Sequence, residues 1–456
     1  MALWFETALT AGAWAQGVRF THRDGVIDRA ETGVQPEPGD ECGAIAVPGL
    51  CNVHSHAFQR GMAGLAETRL AGTVDGRDSF WTWREVMYRF LDRLGPEAVE
   101  AIAALAFCEM LEAGFTRVGE FHYLHHAPDG TPYAAPAELA DRIVAAAEQT
   151  GVALTLLPVF YAHGGLGCAP ATPGQRRFVT RLDDFARLVD GCRTAASRLP
   201  DAVVGVAPHS LRAATVDEIA RLAPLAGGGP IHIHIAEQAR EVADCVAVHG
   251  ARPVAWLCDH VAVDEAWCLV HATHIDASER ATIVAGGAVA GLCPITEANL
   301  GDGLFPAAAF LRAGGRIAIG SDSNVLIDPA EELRTLEYCA RLAGQARAVL
   351  ASDERPSVGA RLFAAVLAGG GQALGVGSPA LAVGRPLDLV SLNADHPSLA
   401  GRQGDSLLDS WIFAGRSGLV DSVWRRGRKV VAEGRHLAKS AFAARYRQVL
   451  VDVLAA

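Results

Sequence analysis

Eight short apolar runs, each ending in polar residues, constrain the fold of this chain more than any other feature. They cover residues 47–56, 116–123, 152–161, 202–210, 230–237, 267–274, 288–296 and 316–323. Such runs suit parallel strands that are buried on both faces. Segments with helical spacing lie between most of them, such as 97–114 and 136–151. This alternation predicts an α/β chain folded as a (β/α)8 barrel of the TIM type.

The two ends of the chain follow a different pattern, with short alternating segments separated by glycine-containing turns. GVRFTHRDGVIDRA near the N-terminus and SVWRRGRKVVAEGR near the C-terminus are both typical of hairpins. We therefore expect a small β-sandwich domain built from residues 1–47 and 383–456. The barrel would then span residues 48–382, which is long enough for this fold.

A long excursion over residues 57–96 follows the first predicted strand of the barrel and contains the aromatic-rich string FWTWRE. Long segments on the catalytic face of a barrel are usually lids or substrate-binding loops. We expect this excursion to border the binding site, with Trp81 and Trp83 packing the loop itself.

Composition excludes several classes of partner and location. The formal net charge of -11 argues against general binding to nucleic acids or membrane surfaces, although local arginines can still hold a small anionic substrate. No run of about 18 uninterrupted apolar residues is present, and the first residues lack the pattern of a signal peptide. Ten scattered cysteines without a C-x-x-C pair are typical of reduced thiols. We therefore expect a cytoplasmic protein.

Histidines and an aspartate lie at the ends of three predicted strands. His54 and His56 are two positions apart, so both imidazoles point the same way from a strand and can reach one metal ion. His232 and His234 repeat this spacing, and Asp322 ends the eighth strand. Imidazoles with a carboxylate suit zinc, and barrel enzymes place their chemistry at this rim. The sequence predicts a metal site of His54, His56, His234 and Asp322.

The remaining histidines near these strands are expected to be structural, apart from His209 in the fourth strand and His271 at the end of the sixth. His232 would turn away from the metal or pack behind it, and His163 would lie in a loop without an assigned role. The others in this structural group are His122, His125, His126 and His274.

The chain resembles the amidohydrolase superfamily over nearly its whole length. PGLCNVHSH (48–56), the histidines of strands five and six, Asp322 and GRPLDLV (384–390) carry this resemblance. Further strings resemble the formimidoylglutamate deiminases within that superfamily. These strings are HSHAFQRGMAGLAE (54–67), DSFWTWREVMYR (78–89), GEFHYLHH (119–126), PHSLRA (208–213), HIHIAEQ (232–238), LVHATH (269–274), TEANLGDGLFP (296–306) and GSDSN (320–324).

The resemblance implies a hydrolase that acts on the C–N bond of a linear amidine. The expected reaction converts N-formimino-L-glutamate to N-formyl-L-glutamate and ammonia, in histidine degradation, and a homodimer is expected. One zinc ion per subunit is expected, because the fourth strand ends in APHS without the bridging lysine of two-metal relatives. Iron or another divalent ion would also suit these ligands.

Catalytic roles also follow from the resemblance. His271 would hydrogen-bond and polarise the attacking water, and Asp322 would accept its proton while also binding the metal. Glu237, three residues after His234, would move protons between the water and the substrate nitrogen.

Two carboxylates on the expected substrate require fixed donors. Arg84 and Arg212 are the candidates, because a guanidinium binds a carboxylate with two hydrogen bonds. By resemblance, Gln59, Tyr123 and His209 would add further hydrogen bonds.

Two positions depart from the pattern that the resemblance leads us to expect. Asn324 stands where we expect histidine, and Pro294 also replaces a different expected residue, which leaves the fine specificity open. One alternative is a deaminase of another amidine or of a purine-like ring in the same superfamily, whose pocket would not need two arginines. A non-catalytic barrel that serves as a scaffold or binds a small molecule is disfavoured, because every proposed metal ligand is present.

Overall fold

The computed structural model describes residues 2–68, 79–415 and 418–455. Its strands in chain order are β1 (Leu3–Thr10), β2 (Ala13–Arg23), β3 (Val26–Glu31), β4 (Glu41–Pro48), β5 (Leu50–Ser55), β6 (Phe115–His122), β7 (Ala153–Phe160), β8 (Val203–Val204), β9 (Ala207–Pro208), β10 (Ile231–Ile235), β11 (Trp267–His271), β12 (Val289–Leu292), β13 (Arg316–Ile319), β14 (Leu389–Leu392), β15 (Val420–Arg425), β16 (Arg428–Ala432) and β17 (Arg435–His436).

Helices connect most of these strands. In chain order they are α1 (Phe80–Leu91), α2 (Pro96–Ala113), α3 (Glu138–Thr150), α4 (Leu182–Ala196), α5 (Val216–Leu222), α6 (Ala239–His249), α7 (Pro253–His260), α8 (Ala277–Gly286), α9 (Pro294–Leu300), α10 (Ala307–Arg312), α11 (Pro329–Gly344), α12 (Val358–Ala373), α13 (Asp405–Ala414) and α14 (Lys439–Ala455). Within the described residues, no helix is both long and apolar enough to cross a membrane.

Parallel strands from β5 to β13 form a closed barrel. One sheet runs in the order β5-β6-β7-β8, with β9 also paired to β7, and a second runs β10-β11-β12-β13. Backbone hydrogen bonds join the two sheets at both edges, from the amide of His234 to the carbonyl of His209 (3.1 Å) and from the amide of Asp322 to the carbonyl of His54 (2.9 Å). The predicted (β/α)8 barrel is confirmed, with β8 and β9 together filling one strand position.

Local signals fix the ends of the helices between the strands. The helix α2 begins at a proline, whose missing N–H costs nothing at the first turn, and it ends before Gly114 with a φ of 103°. The helix α3 ends in the same way before Gly151. Both helices agree with the spacing of apolar residues in the sequence.

Both ends of the chain contribute to one eight-stranded sheet beside the barrel. Its order is β17-β16-β15-β14-β4-β1-β2-β3, and β14 from the C-terminal part pairs antiparallel with β4. The sheet has its own apolar core, which includes Phe5, Phe20, Leu389 and Trp424. A sheet shared by the two termini is therefore confirmed, while the limits 1–47, 383–456 and 48–382 remain our proposal for the domains.

Two helices near the C-terminus were not anticipated by the hairpin pattern. In α14, Phe442 and Val453 are buried, and the hydroxyl of Tyr446 donates to the carbonyl of Arg60 (3.4 Å). Phe442, Tyr446 and Val453 are separated by four, seven and eleven positions, which is the spacing of one helix face. The sequence of this segment therefore contains a helical pattern. The long excursion contains α1, and residues 69–78 within it lie outside the described part of the chain.

Candidate active site

Four side chains converge at the carboxyl ends of the barrel strands. The Nε2 atom of His54 lies 3.1 Å from Nε2 of His56, 3.0 Å from Nε2 of His234 and 3.3 Å from Oδ1 of Asp322. The same aspartate oxygen lies 3.3 Å from Nε2 of His56. These are the four residues that the sequence analysis selected, and their donor atoms are close enough to share one metal ion.

The protonation states of the imidazoles fit a metal at this point. Nδ1 of His56 faces the carbonyl of Phe121 (3.0 Å), and Nδ1 of His234 faces the carbonyl of His209 (3.1 Å). A carbonyl only accepts, so each Nδ1 carries the proton and each Nε2 presents a lone pair. Burial, followed by the neighbouring His54, lowers the pKa of His56 to about 3. Uncharged lone pairs and a carboxylate that meet at about 3 Å are an arrangement that a cation stabilises.

Strained backbone accompanies the functional strand ends. His271 and Asp322 have φ values of 66° and 47°, in the left-handed region that residues with a side chain rarely adopt. Ala236, next to Glu237, has a φ of 51°. Such strain of order 1–3 kcal/mol per residue concentrates at sites where the surrounding structure fixes the geometry.

A second group of side chains surrounds His271. Its Nδ1 faces Oε1 of Glu297 at 3.3 Å, and its Nε2 is 3.9 Å from both Oε1 of Glu237 and Oδ2 of Asp322. Burial lowers the pKa of His271, but the three carboxylates raise it by a larger amount, so that the resulting pKa is about 10. His271 therefore presents a proton on Nε2 toward the metal ligands. Because Glu297 occupies Nδ1, Nε2 is the ring nitrogen that faces Glu237 and Asp322.

Glu297, which orients His271, is not among the residues predicted from the sequence. It lies in α9, and its Oε1 also accepts a hydrogen bond from the amide of Cys293 (3.0 Å). Glu297 is part of TEANLGDGLFP, one of the strings that carry the family resemblance. Its contact with His271, 26 positions earlier, could not be seen from the sequence.

A cavity opens above the four proposed ligands, and three of them, His56, His234 and Asp322, form part of its wall. All five predicted substrate contacts line it, as do Glu237 and His271. The full lining is His56, Gln59, Phe80, Trp83, Arg84, Met87, Tyr88, Tyr123, Tyr161, Gly164, Phe178, His209, Arg212, His234, Glu237, His271, Leu300 and Asp322. Trp83 was expected to pack the loop only, and it also reaches this wall.

Two arginines in the cavity wall have unused hydrogen-bonding capacity. Nη2 of Arg212 lies 3.2 Å from Oε2 of Glu237 and 3.9 Å from Oε2 of Glu241, whereas its buried Nε has no hydrogen-bond partner among the described residues. The buried Nε of Arg84 also lacks a partner in the described part of the chain, and the guanidinium of Arg84 stacks on the ring of Trp81 at 4.7 Å. Within the described residues, Arg84 forms no ion pair, so its charge is available to the cavity.

Neutral polar side chains line the opposite wall. Nε2 of Gln59 donates to the hydroxyl of Tyr123 (2.9 Å), which in turn donates to the sulfur of Met87 (3.3 Å). The buried Oε1 of Gln59 has no partner within residues 2–68, 79–415 and 418–455, and it can accept a hydrogen bond from a ligand. Burial raises the pKa of Tyr123 well above its usual value, so the phenol remains protonated. His209 supports His234 through its carbonyl and exposes its ring to the cavity.

Most of the other histidines bond to the backbone, as expected for structural residues. His232 lies next to the site along β10, but its Nε2 faces the carbonyl of Ala373 at 2.7 Å. His125, His126 and His274 face the carbonyls of Val159, Val179 and Asp302 through Nε2. His163 pairs with Glu218, and Nε2 of the buried His122 has no partner among the residues that the structure describes.

Comparisons with known protein families agree with one another on the family of this chain. The profile of the "Amidohydrolase family" matches residues 45–430, which include every residue of the site. The chain belongs to the amidohydrolase family. Residues 2–44 of this amidohydrolase match the profile "Formimidoylglutamate deiminase HutF, N-terminal domain".

Individual relatives agree with this assignment. The amidohydrolase is 49% identical to the formimidoylglutamate deiminase of Pseudomonas aeruginosa over 99% of both chains. It is 51% identical to a solved amidohydrolase from Brucella melitensis, with a TM-score of 0.96 and 99% of both chains covered. A more distant relative is the 5-methylthioadenosine/S-adenosylhomocysteine deaminase of Natronomonas pharaonis, at 30% identity over 79% of this chain and 75% of that one.

Proposed function

We propose that this amidohydrolase is a formimidoylglutamate deiminase, a hydrolase that acts on the C–N bond of a linear amidine. Water adds to the amidine carbon of HN=CH–NH–R and ammonia leaves, which gives O=CH–NH–R. The observation that carries the proposal is a cavity with a metal-binding cluster in its floor and two guanidiniums with unpartnered Nε atoms in its wall. The identity of 49% over nearly the whole length of the Pseudomonas enzyme supports it.

One zinc ion per subunit, held by His54, His56, His234 and Asp322, is part of this proposal. A bound divalent metal would lower the pKa of a water molecule to about 7 and so supply hydroxide at neutral pH. Three imidazoles and one carboxylate suit zinc, and they also accept iron or another divalent ion.

The protein groups around the metal site are placed to handle protons. Oδ1 of Asp322 faces the ligand imidazoles, which leaves Oδ2 to accept a proton from water. Nε2 of His271 faces the same point, where it can donate a hydrogen bond to a water, and its 3.9 Å separation from Oδ2 of Asp322 suits a bridging water. Glu237 lies on the cavity side, where its carboxylate can pass a proton to the leaving nitrogen.

The unpartnered groups of the cavity match the polar atoms of N-formimino-L-glutamate. Arg84 and Arg212 offer donors to its two carboxylates, and Oε1 of Gln59 offers an acceptor to an N–H group. Arg212 is held against Glu237, so a carboxylate bound to Arg212 lies beside the residue that handles the leaving nitrogen.

Ammonia release from formimino-amino acids of different chain length tests this function. We expect the highest kcat/KM with formiminoglutamate and a much lower value with formiminoglycine, which lacks the second carboxylate. Comparable values for the two substrates would show that the second carboxylate is not recognised. Absence of bound divalent metal, with no ammonia release after zinc is added, would reject the enzyme altogether.

The substitution Arg84→Ala provides a sharper test of substrate recognition. Loss of one partner of a carboxylate–guanidinium pair costs about 3 kcal/mol, so we expect kcat/KM for formiminoglutamate to fall roughly 100-fold. Arg240→Ala is the matched control, because its guanidinium also stacks on Trp81 (5.0 Å) but does not line the cavity. Equal losses in both variants would indicate a general disturbance of α1.

A purine-like substrate is the second candidate. Phe80, Trp83, Tyr88 and Phe178 give the cavity aromatic walls on which a ring could stack, and a 30% identical relative is a nucleoside deaminase by name. 5-Methylthioadenosine has no carboxylate, so its turnover would be unaffected by Arg84→Ala. Full activity on 5-methylthioadenosine, with none on formiminoglutamate, would establish this alternative.

A cytoplasmic homodimer that acts in histidine degradation completes the proposal. Ten free cysteines are compatible with a reducing compartment. Light scattering on the purified protein tests the dimer, and growth of a deletion strain on histidine tests the pathway.

A further inference from the structure

Asn324 lies directly behind two proposed metal ligands, His56 and Asp322. It follows Asp322 after the end of β13, where the backbone bonds to the end of β5. The amide of Asp322 donates to the carbonyl of His54 (2.9 Å), and the amide of His56 donates to the carbonyl of Asp322 (2.9 Å). The first and last barrel strands thus meet at the ligands themselves.

The side-chain amide of Asn324 spans this junction. Its Nδ2 lies 3.1 Å from the hydroxyl oxygen of Ser55, from the carbonyl of His56 and from the carbonyl of Asp322. Two N–H groups are therefore shared among three oxygens that belong to both strands. Asn324 is fully buried, so water does not replace these bonds.

A chain of hydrogen bonds fixes the orientation of this amide. Nδ2 of Asn52 donates to the hydroxyl oxygen of Ser321 (2.6 Å), so the proton of that hydroxyl points to Oδ1 of Asn324 (2.6 Å). The amide of Ser321 donates in turn to Oδ1 of Asn52 (3.0 Å). With Oδ1 held by Ser321, Nδ2 of Asn324 faces the three acceptors.

The backbone at this position also favours asparagine. Asn324 has a φ of 55°, and asparagine tolerates the left-handed region better than most residues with a side chain. The residue therefore satisfies the turn and supplies the donors at the same time.

We propose that Asn324 is a positioning residue that holds His56 and Asp322 in the geometry that binds the metal. It acts from behind the ligands, through their main-chain carbonyls, and touches neither metal nor substrate. This role rests on the proposed metal-dependent function, but it is measured by metal affinity and does not depend on which substrate the enzyme uses.

The test compares two variants that remove the donors in different ways. Asn324→Asp has nearly the same shape but places a carboxylate oxygen against the carbonyls, and Asn324→Gly keeps the left-handed backbone while removing the amide. We expect the zinc dissociation constant, measured by chelator competition, to rise 10- to 100-fold in both variants. With cobalt bound, the visible absorption bands should change, because they report the coordination geometry.

Thr155→Val is the matched control for a loss of buried hydrogen bonds elsewhere in the barrel. The hydroxyl of Thr155 donates to the carbonyl of Leu374 (3.1 Å), and the residue is fully buried in β7. This variant should lower the melting temperature but retain the wild-type zinc affinity and cobalt spectrum.

Several outcomes would overturn the proposal. They are wild-type zinc affinity in a folded Asn324 variant, an equal loss of affinity in Thr155→Val, and failure of both Asn324 variants to fold, which would indicate a general structural role. If the variants lose zinc as expected but the wild-type enzyme does not act on formiminoglutamate, the substrate assignment fails and the role of Asn324 stands.

Discussion

The ring nitrogen that faces the protein determines what each buried histidine of the site can do. In His56 and His234, Nδ1 is occupied by a backbone carbonyl, and Nε2 is left as a lone pair for a metal. In His271 a carboxylate occupies Nδ1 and other carboxylates face Nε2, so both nitrogens carry protons. The same type of side chain thus presents a lone pair at His56 and His234, as a metal ligand would, and a hydrogen-bond donor at His271.

This difference predicts the effect of His271→Asn. The amide of asparagine retains a donor near Nδ1, toward Glu297, and removes the group at Nε2. We expect kcat to fall 10²- to 10⁴-fold, as is usual when a group that handles protons is lost. Steady-state kinetics and metal analysis of the same preparation would show low activity with full metal content.

A histidine outside the cavity gives the control for this experiment. His126→Asn removes an Nε2 that bonds only to the carbonyl of Val179, so kcat should be unchanged. Loss of metal in proportion to the loss of activity in His271→Asn would instead make His271 a ligand.

At the scale of single residues, the sequence predicts what depends on spacing along one strand. His54 and His56 could be recognised because residues two apart in a strand share a face. Glu297 and Asn52 could not, because each acts on a residue that is distant in sequence and reached only through the closed barrel. The Arg212–Glu237 ion pair was missed for the same reason, although both residues were chosen separately.

At the scale of elements, the junction of β13 with β5 is where the barrel closes. Gly320 lies at the end of β13, and a Cβ there would be 2.7 Å from both the backbone nitrogen and the carbonyl oxygen of His54. Backbone atoms cannot move aside without shifting a strand. A glycine is therefore required for the two strands to approach each other.

The substitution Gly320→Ala should disturb stability and metal binding together. We expect the free energy of unfolding to fall by about 1–3 kcal/mol, which is the usual cost of overpacking. Zinc affinity should fall about tenfold, because the strand that carries His54 is displaced. Thermal unfolding and chelator competition measure the two effects.

Gly344→Ala is the control, because its Cβ would meet only a side-chain carbon of Val349 at 4.0 Å at the end of α11. It should leave zinc affinity unchanged and leave stability unchanged or slightly raised. A Gly320→Ala enzyme with normal zinc affinity would show that the ligands tolerate movement of the junction.

Element positions were predictable where the repeat of strand and helix is regular. The eight apolar runs correspond to the barrel strands, because burial on both faces leaves a continuous apolar signal. The segment 288–296 shows the limit, since β12 ends at Leu292 and α9 starts at Pro294. The proline suits the first turn of a helix, and the apolar run alone does not separate strand from helix there.

At the scale of the whole molecule, buried charges connect the terminal sheet to the barrel. Arg425 in β15 bonds to Asp201 (2.6 Å) and to Asp388, and Asp201 also pairs with Arg117 in β6 (3.3 Å). Burial raises the pKa of Asp201, but Arg425 and Arg117 together lower it by a larger amount, so the pKa lies below its usual value. The folded protein therefore favours the charged form of this carboxyl.

This link predicts a pH-dependent effect of Asp201→Asn. A lowered pKa in the folded state adds stability above the unfolded pKa of about 4, and that stability is lost as the pH falls through the folded pKa. We expect the variant to lose about 3 kcal/mol of unfolding free energy at pH 7. Urea unfolding measures this effect: the difference in unfolding free energy between the variant and the wild type should become smaller as the pH falls below about 4.

Asp190→Asn is the control, because Asp190 forms an exposed ion pair with Arg193, with its side chain 78% exposed. Its effect should stay below about 0.5 kcal/mol at both pH values. If the loss of unfolding free energy in Asp201→Asn does not change with pH, the effect comes from packing and not from the charge of the carboxylate.

The closing junction of the barrel has a consequence for how the enzyme is made. His56 and Asn324, which bond across it, are 268 positions apart in the chain. A ribosome that has synthesised only the first half of the protein has exposed His54 and His56 but neither His234 nor Asp322. The proposed ligand set is therefore complete only after most of the polypeptide has emerged, and a product truncated before Asp322 lacks it.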